Sequence, residues 1–574
     1  MKKHRLLSLL SALLLVFSLF AAVPEGTFRI SAADEAPSYY TFSGGTVTIT
    51  GKFSNLDAVS QLTGIKKIVF TPGVKMPSSC FRLFSGIHAD LIDFTGSDWS
   101  DVTSVFQMFM GYDIFEIKMG SVSAPKLKDL DSMFDCCYKV RKIDLSGFDV
   151  PNAEELDYFF NYCNELSELK VPAKKLTKLK SLRRMFCACF ALSSVDLSWL
   201  GTSNVTNFDS MFNLCTGMSK IDITPLDFSS ALDMNNMFYG MKELLSVSLK
   251  NKDAYYCKDF HDMFRKCEKL RSVDFTGFIS SSALDLSKMF YECYELTKLD
   301  LNAIDASNVT NMSEMFFDCK KLADLDISSF APAHLTSMYS MFNGCRALKK
   351  LDLTKFNTSA VTSMSGLFQN CYALRELNIK GIDTSNVRYM TGMFMSCGAY
   401  KEFKFRDFNT TSLEKTNKMF WSNSTLVTVD LTGLNTKQLT DATEMFFQCS
   451  NLTTIYAPGS MNFNSVASTD RMFQNSTLLA GGAGTTFDST HVDGSYARVD
   501  VKGGAKGYFT AASYTLGDLD GNGKVNMRDY ALMQKYILDP KSVTVNTAAA
   551  DMDGNEKVNM RDYAALQKLL LKPS

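Results

Sequence analysis

The chain has 574 residues and a formal net charge of −1, from 60 Lys and Arg against 61 Asp and Glu. This balance excludes a general binder of nucleic acids or anionic membranes, which would carry a basic excess. Apolar residues make up 46 % and proline occupies only 12 positions, so most of the chain should fold. The bias toward 44 Phe, 30 Met and 15 Cys indicates a short pattern copied many times.

The first predicted element is an export signal over residues 1–33. Basic residues precede an apolar run from Leu6 to Ala22, and Ser31-Ala32-Ala33 offers small side chains for cleavage. A membrane anchor is the alternative, but about 17 apolar residues are marginal for spanning a bilayer. We therefore expect a secreted mature chain without membrane insertion after cleavage.

A Met-Phe pair, or its equivalent, recurs sixteen times at intervals of 25, 26 or 27 residues. The pairs begin at Leu83, Met108, Met133, Phe159, Met185, Met211, Met237, Met263, Met289, Met315, Met341, Leu367, Met393, Met419, Met445 and Met472. Within a unit, alternation as in Leu351-Asp352-Leu353 predicts a short strand, and apolar residues three and four apart predict a short helix or 3₁₀ turn. Neither element can bury its apolar face alone, so the units should stack into a solenoid of about 16 coils.

The L-x-x-L-x-L spacing resembles leucine-rich repeats. The fuller pattern, M-F-x-x-C-x-x-L-x-x-L-D-L-S-x-F-D-T-S-N-V-T-x-M, resembles the BspA-like leucine-rich repeats of bacterial surface proteins over residues 83–476. The resemblance implies an α/β leucine-rich-repeat solenoid that is non-catalytic and serves in binding or adhesion, with no particular ligand. We interpret 34–82 as an N-terminal cap and 477–516 as a C-terminal cap and linker, because end coils need shielding.

Cysteine recurs four places after the Met-Phe position. This column comprises Cys137, Cys163, Cys189, Cys215, Cys267, Cys293, Cys319, Cys345, Cys371, Cys397 and Cys449. Met241, Asn423 or Ser476 fill the same position in other units. Equivalent side chains on successive coils also point the same way, which is poor geometry for a bridge. Buried free thiols are therefore favoured over disulfides, and zinc is disfavoured because C-x-x-C pairs are absent and His is scarce.

An aspartate occupies the outward position of many predicted strands. Neighbouring carboxylates would lie about 5 Å apart and cost just under ~1 kcal/mol per pair in water. Lysines two residues earlier and hydroxyls two residues later could offset this cost. One interpretation is a purely structural column of aspartates, in which neighbouring lysines and hydroxyls offset the repulsion between carboxylates. The alternative is a ligand face for cations or polar polymers, formed by Asp274, Asp300, Asp326 and Asp352.

No catalytic arrangement emerges from the sequence. The histidines are dispersed and none lies in a nucleophile or metal motif. Paired carboxylates are common, but repetition explains them better than glycosidase chemistry does. We expect that the chain is not an enzyme.

A duplicated motif begins at Asp518 and recurs 33 residues later at Asp551, with 14 of 19 positions identical between 518–536 and 551–569. Oxygen ligands at loop positions 1, 3, 5, 9 and 12 are what Ca²⁺ needs, and position 7 would supply a backbone carbonyl. The predicted ligands for two Ca²⁺ ions are Asp518, Asp520, Asn522, Lys524, Asn526 and Asp529, then Asp551, Asp553, Asn555, Lys557, Asn559 and Asp562.

These loops differ from EF-hands in two respects. Position 12 is Asp rather than Glu, and no entering helix is expected before either loop, whereas exiting helices are predicted over 527–538 and 560–571. Glu556 also stands where the loop turn favours Gly, which makes the second site the weaker candidate.

Paired loops that are each followed by one helix resemble the type I dockerin module over 517–574. The resemblance implies a small all-α, EF-hand-like domain that binds a cohesin domain on a scaffoldin. The positions that choose the partner fall on Met527, Arg528, Gln534, Lys535, Met560, Arg561, Gln567 and Lys568. They are identical between the two copies, so a binding mode rotated by 180° is available in principle.

The sequence therefore predicts a secreted, non-catalytic binding or adhesion protein that a Ca²⁺-dependent dockerin attaches to a scaffoldin, in a cellulosome-like polysaccharide-degrading complex. One alternative is a free surface adhesin whose dockerin-like module is only a Ca²⁺-stabilised cap. The other is a carbohydrate-active enzyme subunit. The ligand of the solenoid, protein or polysaccharide, is left open.

Overall fold

The computed structural model describes residues 39–571 apart from 112, 460, 513–514, 522–523 and 553–556. The predicted export signal lies outside these residues. Within the described part of the chain, no helix is long and apolar enough to cross a lipid bilayer.

The described chain begins with a β-hairpin. Strands β1 (Tyr40–Ser43) and β2 (Thr46–Ile49) pair in antiparallel fashion through a turn in which Gly44 and Gly45 have φ of +59° and +81°. Positive φ at both central residues matches the twist of a two-residue hairpin, which is why glycine serves here. A one-turn helix, α1 (Asp57–Ser60), leads to β3 (Lys67–Phe70), which pairs in parallel with β2 and joins the hairpin to the coils.

The remaining strands are short and pair in parallel, and all but the last pair with their equivalent on a neighbouring coil. They are β4 (Ala89–Asp93), β5 (Ile114–Lys118), β6 (Val122–Ser123), β7 (Lys142–Asp144), β8 (Phe148–Asp149), β9 (Glu168–Lys170), β10 (Ser246–Ser248), β11 (Ser272–Asp274), β12 (Lys298–Asp300), β13 (Asp324–Asp326), β14 (Lys350–Asp352), β15 (Glu376–Asn378), β16 (Glu402–Lys404), β17 (Thr428–Asp430), β18 (Thr454–Ala457) and β19 (Phe509–Ala511). Leu299 opposite Leu325 shows the 26-residue register. This confirms the predicted leucine-rich-repeat solenoid.

The Met-Phe side of each coil is held by backbone hydrogen bonds that alternate in direction. In one coil the amides of Lys288, Phe290 and Glu292 donate to carbonyls of the next coil at 2.9, 2.9 and 2.7 Å. The intervening amides, at 289, 291 and 293, donate to the carbonyl three residues back in the same coil at 3.3, 3.0 and 3.1 Å. Every backbone donor in this segment is therefore satisfied, half of them between coils.

This arrangement decides between the helix and the 3₁₀ turn that the sequence left open. Lys288 and Glu292 have φ of +55° and +58°, in the left-handed region, which interrupts a right-handed helix. The bonds to the third residue back are those of a 3₁₀-type turn. The coils therefore consist of strands and turns, and within the described residues α-helices occur only before the first coils and in the C-terminal region. Short 3₁₀ helices lie at Phe405–Asp407 and Gly494–Tyr496.

Phenylalanines of the Met-Phe segment form a continuous stack along the core. The rings are those of Phe84, Phe109, Phe134, Phe160, Phe186, Phe212, Phe238, Phe264, Phe290, Phe316, Phe342, Phe368, Phe394, Phe420, Phe446 and Phe473, all buried. Consecutive centroids lie 5.1–6.1 Å apart with interplanar angles of at most 20°. Offset-stacked rings at this spacing add to the free energy gained by burial.

The last coil is closed by a segment after the repeats. Strand β19 pairs with β18, and the fully buried Tyr508 packs its ring against Phe473 at 5.3 Å. This segment covers apolar surface that the final coil would otherwise expose, as the terminal unit of a repeat array must.

The C-terminal region has its own small core around Met533 and Leu566. Its helices are α2 (Met527–Leu538), α3 (Thr547–Ala550) and α4 (Met560–Leu570). Helices α2 and α4 match the predicted exiting helices to within one residue. The prediction that no helix enters the second loop is wrong, because the one-turn α3 ends at Ala550, directly before it. Asn546 caps α3 by accepting a hydrogen bond from the Ala549 amide at 3.1 Å.

Candidate functional site

The four aspartates of the possible ligand face lie exposed at the ends of strands β11 to β14. Each Oδ1 accepts a hydrogen bond at 2.9–3.0 Å from the backbone N–H two residues later. This is an Asx turn, which holds the chain as it leaves the strand. For Asp352, hydrogen bonds from the Thr354 hydroxyl and amide lower the pKa of the carboxyl.

The second carboxylate oxygen is also engaged in part of this Asp column. Asp352 Oδ2 accepts from Asn378 Nδ2 at 2.9 Å, and Asp274 Oδ2 accepts from Ser248 Oγ at 3.4 Å. Partners of this kind offset the repulsion between stacked carboxylates. The contacts favour the structural interpretation of the column over the ligand face.

The lysines two residues earlier pair mainly within their own column. Lys142 Nζ lies 3.6 Å from Glu116 and 3.5 Å from Glu168, on the coils before and after it. Lys298 Nζ lies 3.7 Å from Asp324 in the same way. Opposite charges at neighbouring positions of parallel strands stabilise the sheet.

The cysteine column has a hydrogen-bonding role that the sequence did not reveal. Ten of its eleven Sγ atoms donate to a Phe carbonyl of the preceding coil at 3.0–3.2 Å. Asn423 and Ser476, which replace cysteine, donate to the equivalent carbonyls of Phe394 and Phe446. The position therefore holds a small donor in most units, and the buried Met241 fills it without one. Burial raises the pKa of Cys449 to about 12, which keeps the thiol protonated.

An acidic cluster that sequence reasoning missed lies on the opposite side of the coils. Asp129 and Asp131 neighbour Glu155 and Asp157 of the next coil, and Asp131 Oδ1 accepts from the Asp157 amide at 2.8 Å. Burial, then the charges of Asp129 and Asp157, raise the pKa of Asp131 to about 7. Spacing in the sequence marked these residues as repeat positions but gave no sign that Asp131 is partly buried beside other carboxylates.

Three predicted calcium ligands of the first dockerin-like loop come together. Carboxylate oxygens of Asp518, Asp520 and Asp529 all lie within 4.8 Å of one another. Ca²⁺ binds oxygen at 2.3–2.6 Å, so ligands across one ion are separated by at most ~5 Å. Asp518 and Asp529 are 5 % and 0 % exposed, and a cation bound between carboxylates this close would offset their mutual repulsion. The donor set therefore fits Ca²⁺.

The backbone holds Asp529 in place at the start of α2. Its Oδ1 accepts from the amides of Leu519 and Asp520 at 2.8 and 3.2 Å, and its Oδ2 accepts from the Asn526 amide at 2.9 Å. Asn526 in turn caps the helix by accepting from the Arg528 amide at 2.8 Å. This reciprocal capping box joins the loop to the helix, so one fold element positions ligands 1, 3 and 12.

Asn526 makes local contacts that bear on its predicted role at loop position 9. Its Oδ1 accepts from the Arg528 amide, and its Nδ2 donates to the Lys524 carbonyl at 3.3 Å. The Lys524 carbonyl is the atom predicted to face the ion from position 7. Position 9 therefore orients the loop, in addition to any contact with the ion through water.

The second loop repeats this geometry. Asp562 accepts from the amides of Met552 and Asn559 at 2.8 Å each, and Asn559 caps α4 by accepting from the Arg561 amide at 2.8 Å. Asp551, at position 1, and Lys557, at position 7, are among the described residues of this loop. Asn522 in the first loop and Asp553, Asn555 and Glu556 in the second lie outside the described residues.

The eight predicted partner-choice residues are all exposed on α2 and α4. Met527 and Met560 are 66 % and 62 % exposed, which is unusual for a side chain that is normally buried. The two helices pack through Tyr530 and Tyr563, whose rings stack at 4.2 Å with an interplanar angle of 19°. In addition, Arg528 Nε lies 3.1 Å from Asp520 Oδ2, which links a predicted partner-choice residue to a predicted calcium ligand.

Two family models match the chain. The first, described as "Mycoplasma protein of unknown function, DUF285", matches residues 78–191, 167–278, 284–402 and 372–487. The second, the dockerin type I domain, matches residues 516–571. No curated protein matches the chain.

Two bacterial leucine-rich proteins are among the solved structures that the chain resembles. A leucine-rich repeat protein from Bacteroides ovatus is 16 % identical, with 65 % of this chain and 96 % of that chain covered and a TM-score of 0.34. A leucine-rich cell surface protein from Faecalibacterium prausnitzii is 16 % identical, with 61 % and 95 % covered and a TM-score of 0.22.

The raised pKa of Asp131 predicts a pH-dependent stability. A carboxyl whose folded pKa of about 7 exceeds the unfolded value of 3.8 stabilises the fold fully below the unfolded pKa. That contribution is lost as pH rises through about 7. We expect Asp131→Asn, which keeps the acceptor for the Asp157 amide, to gain stability relative to the wild type between pH 5 and pH 8. Urea midpoints measured across this range test the prediction.

Asp352→Asn is the control, because hydrogen bonds from Thr354 lower that pKa and its contribution changes only at acidic pH. Its midpoint should differ from the wild type by a constant amount over the same range. A difference for Asp131→Asn that is equally constant would contradict the prediction.

Proposed function

Because the chain belongs to the DUF285 family of BspA-like repeats and carries a type I dockerin domain at residues 516–571, we propose that it is a secreted, non-catalytic binding protein that docks onto a cohesin-bearing scaffoldin. The observation that carries the proposal is the cluster of Asp518, Asp520 and Asp529 at the start of an exposed helix. It couples ion binding to the surface that would meet the partner.

Type I dockerin domains generally bind calcium, and we propose two ions here, one in each loop. Bound Ca²⁺ supplies the positive charge that lets the loop carboxylates lie together. The first ion would be held by Asp518, Asp520, Asn522, the Lys524 carbonyl and Asp529, with Asn526 at position 9. The second would be held by Asp551, Asp553, Asn555, the Lys557 carbonyl and Asp562, with Asn559 at position 9.

A dockerin domain implies a cohesin partner. We assign the contact to the exposed side chains of α2 and α4, at loop positions 10 and 11 and near the end of each helix. Their near-identical capping boxes and the stacked tyrosines between them support two equivalent binding faces. Exposed methionine adapts to varied partner surfaces and arginine pairs with carboxylates, so both suit an interface.

We propose that the solenoid is the ligand-binding part of the chain, which the dockerin domain attaches to the scaffoldin. Its strand face is occupied by Asx turns and ion pairs rather than by a catalytic arrangement, and the family's repeats resemble those of bacterial surface proteins. Within a scaffoldin complex that degrades polysaccharides, such a subunit would bind rather than cleave. This placement supports an extracellular location, on the cell surface through the scaffoldin.

Calcium stoichiometry tests the ion sites directly. We expect isothermal titration calorimetry of the full chain to give two ions per molecule. Asp518→Ala combined with Asp551→Ala should abolish binding, because each removes the first carboxylate of its loop. Lys524→Ala combined with Lys557→Ala is the matched control and should retain both ions, because it keeps the backbone carbonyls. Loss of calcium in the lysine variant, or its retention in the aspartate variant, would refute the ligand assignment.

The partner surface is tested by charge reversal in one copy or in both. If the two faces are equivalent, Arg528→Glu alone and Arg561→Glu alone should each keep cohesin affinity within about threefold. The double variant should lose it by at least tenfold, because either face can substitute for the other. Calcium titration of the same variants shows that the ion sites persist. Complete loss in one single variant would establish a single binding face.

A further inference from the structure

A groove lies on the Met-Phe side of the solenoid, where neighbouring coils carry long side chains. Its volume is about 440 Å³ and it spans four coils, from Tyr339 to Lys418. At the strand spacing of about 4.8 Å, four coils extend over ~15 Å. It is distinct from both the Asp column on the strands and the dockerin loops.

Two glycines line the groove at one repeat position. Directly before the Met-Phe pair, coils to either side place Lys288, Glu314 and Lys418 with φ of +55°, +56° and +58°. The same position holds Gly366 and Gly392, with φ of +66° and +59°. Residues with side chains adopt this conformation elsewhere in the solenoid, so the turn itself does not require glycine. At Gly392 the missing side chain leaves open space, since an added Cβ would meet no atom closer than 3.6 Å. At Gly366 the Ser340 hydroxyl fills that space, and an added Cβ would clash with it.

The floor of the groove offers no free strand edge. The amides of Gly366 and Gly392 donate to carbonyls of the next coil at 2.8 and 3.0 Å. A peptide that binds as an added strand needs unpaired backbone groups, which this floor lacks. The backbone amides of the floor are therefore already satisfied.

The walls combine one aromatic face with uncharged polar groups. Tyr339 is 45 % exposed, and Ser365, Gln369 and Thr391 line the groove with partly exposed side chains, whereas Ser340 is buried at 3 % exposure. The Thr391 hydroxyl donates to Asn417 Oδ1 at 2.7 Å and can still accept a hydrogen bond. None of the nine described residues that line it carries a carboxylate, and the ammonium of Lys418 lies 3.6 Å from Glu444. The groove therefore favours neither a cation nor a polyanion.

We propose that this groove binds a short, uncharged oligosaccharide. A sugar ring offers an apolar C–H face for the Tyr339 ring and several hydroxyls for the amide and hydroxyl groups opposite. The cavity lies in the volume range of small-ligand sites and is longer than a single sugar. The ligand lies along the solenoid axis, with Tyr339 at one end and Lys418 at the other.

Calorimetry of the full chain with cellohexaose, xylohexaose and hexagalacturonate tests the proposal. We expect binding of at least one neutral oligosaccharide, weakened at least tenfold in Tyr339→Ala. Tyr256→Ala removes a tyrosine that is 56 % exposed and lies outside the groove, so it should bind as the wild type does. Binding by hexagalacturonate alone, or by none of the three, would overturn the proposal, as would equal loss in both tyrosine variants.

Gly392→Glu supplies a second variant that blocks the groove without relying on Tyr339. A Cβ at residue 392 meets no atom closer than 3.6 Å, and the glutamate would face Lys418 as Lys288 faces Glu314. We expect a urea midpoint lowered only slightly, because residue 392 has a left-handed φ of +59°, and at least a tenfold loss of oligosaccharide affinity. Retained affinity would overturn the proposal. The titrations in EDTA should match those in Ca²⁺, which separates this site from dockerin-mediated docking.

Discussion

The structure depends on backbone hydrogen bonds that run from coil to coil at a fixed interval of about 26 residues. Parallel strands make these bonds on one side, and alternate amides of the Met-Phe segment make them on the other. Two left-handed residues per coil allow this alternation and exclude a helix. Since each coil satisfies its neighbour, the array is stable only as a stack.

Because of this register, the residues at each repeat position stack in a column and have the same structural role. The phenylalanines fill the core, and the cysteines donate to phenylalanine carbonyls. The aspartates close the turns after the strands. Two local features arise where a repeat position carries a different kind of residue. Gly392 leaves open space in a groove that Gly366 also lines, and the partly buried Asp131 has a pKa raised to about 7 by burial and by neighbouring carboxylates.

The periodic parts of this molecule were predictable because repetition reports the register directly. The anchors, the strands and the two capping-box helices lie where their patterns indicated, since alternation and the D-x-D-G-N loop have few structural solutions. The choice between helix and turn was not predictable, because it depends on residues with left-handed backbone, such as Glu292, that are not glycine. The one-turn helix before the second loop was missed for a similar reason, since Thr547–Ala550 is too short to show a period.

Contacts between residues that are distant in the sequence were also not predictable from the repeat pattern. The sequence named Asp518, Asp520 and Asp529 as ligands but not the ion pair from Arg528 to Asp520. It showed cysteine, asparagine and serine at one repeat position, but their shared hydrogen bond needed the carbonyl of the preceding coil. The acidic cluster and the groove arise in the same way, from residues that neighbouring coils bring together.

The central claim is that calcium-dependent docking attaches a binding solenoid to a scaffold. The most direct measurement is calorimetric titration of the full chain with a panel of scaffoldin cohesins, first in Ca²⁺ and then in EDTA. The account predicts tight binding to at least one cohesin that disappears in EDTA. Binding that persists in EDTA, or the absence of binding to every cohesin, would contradict it.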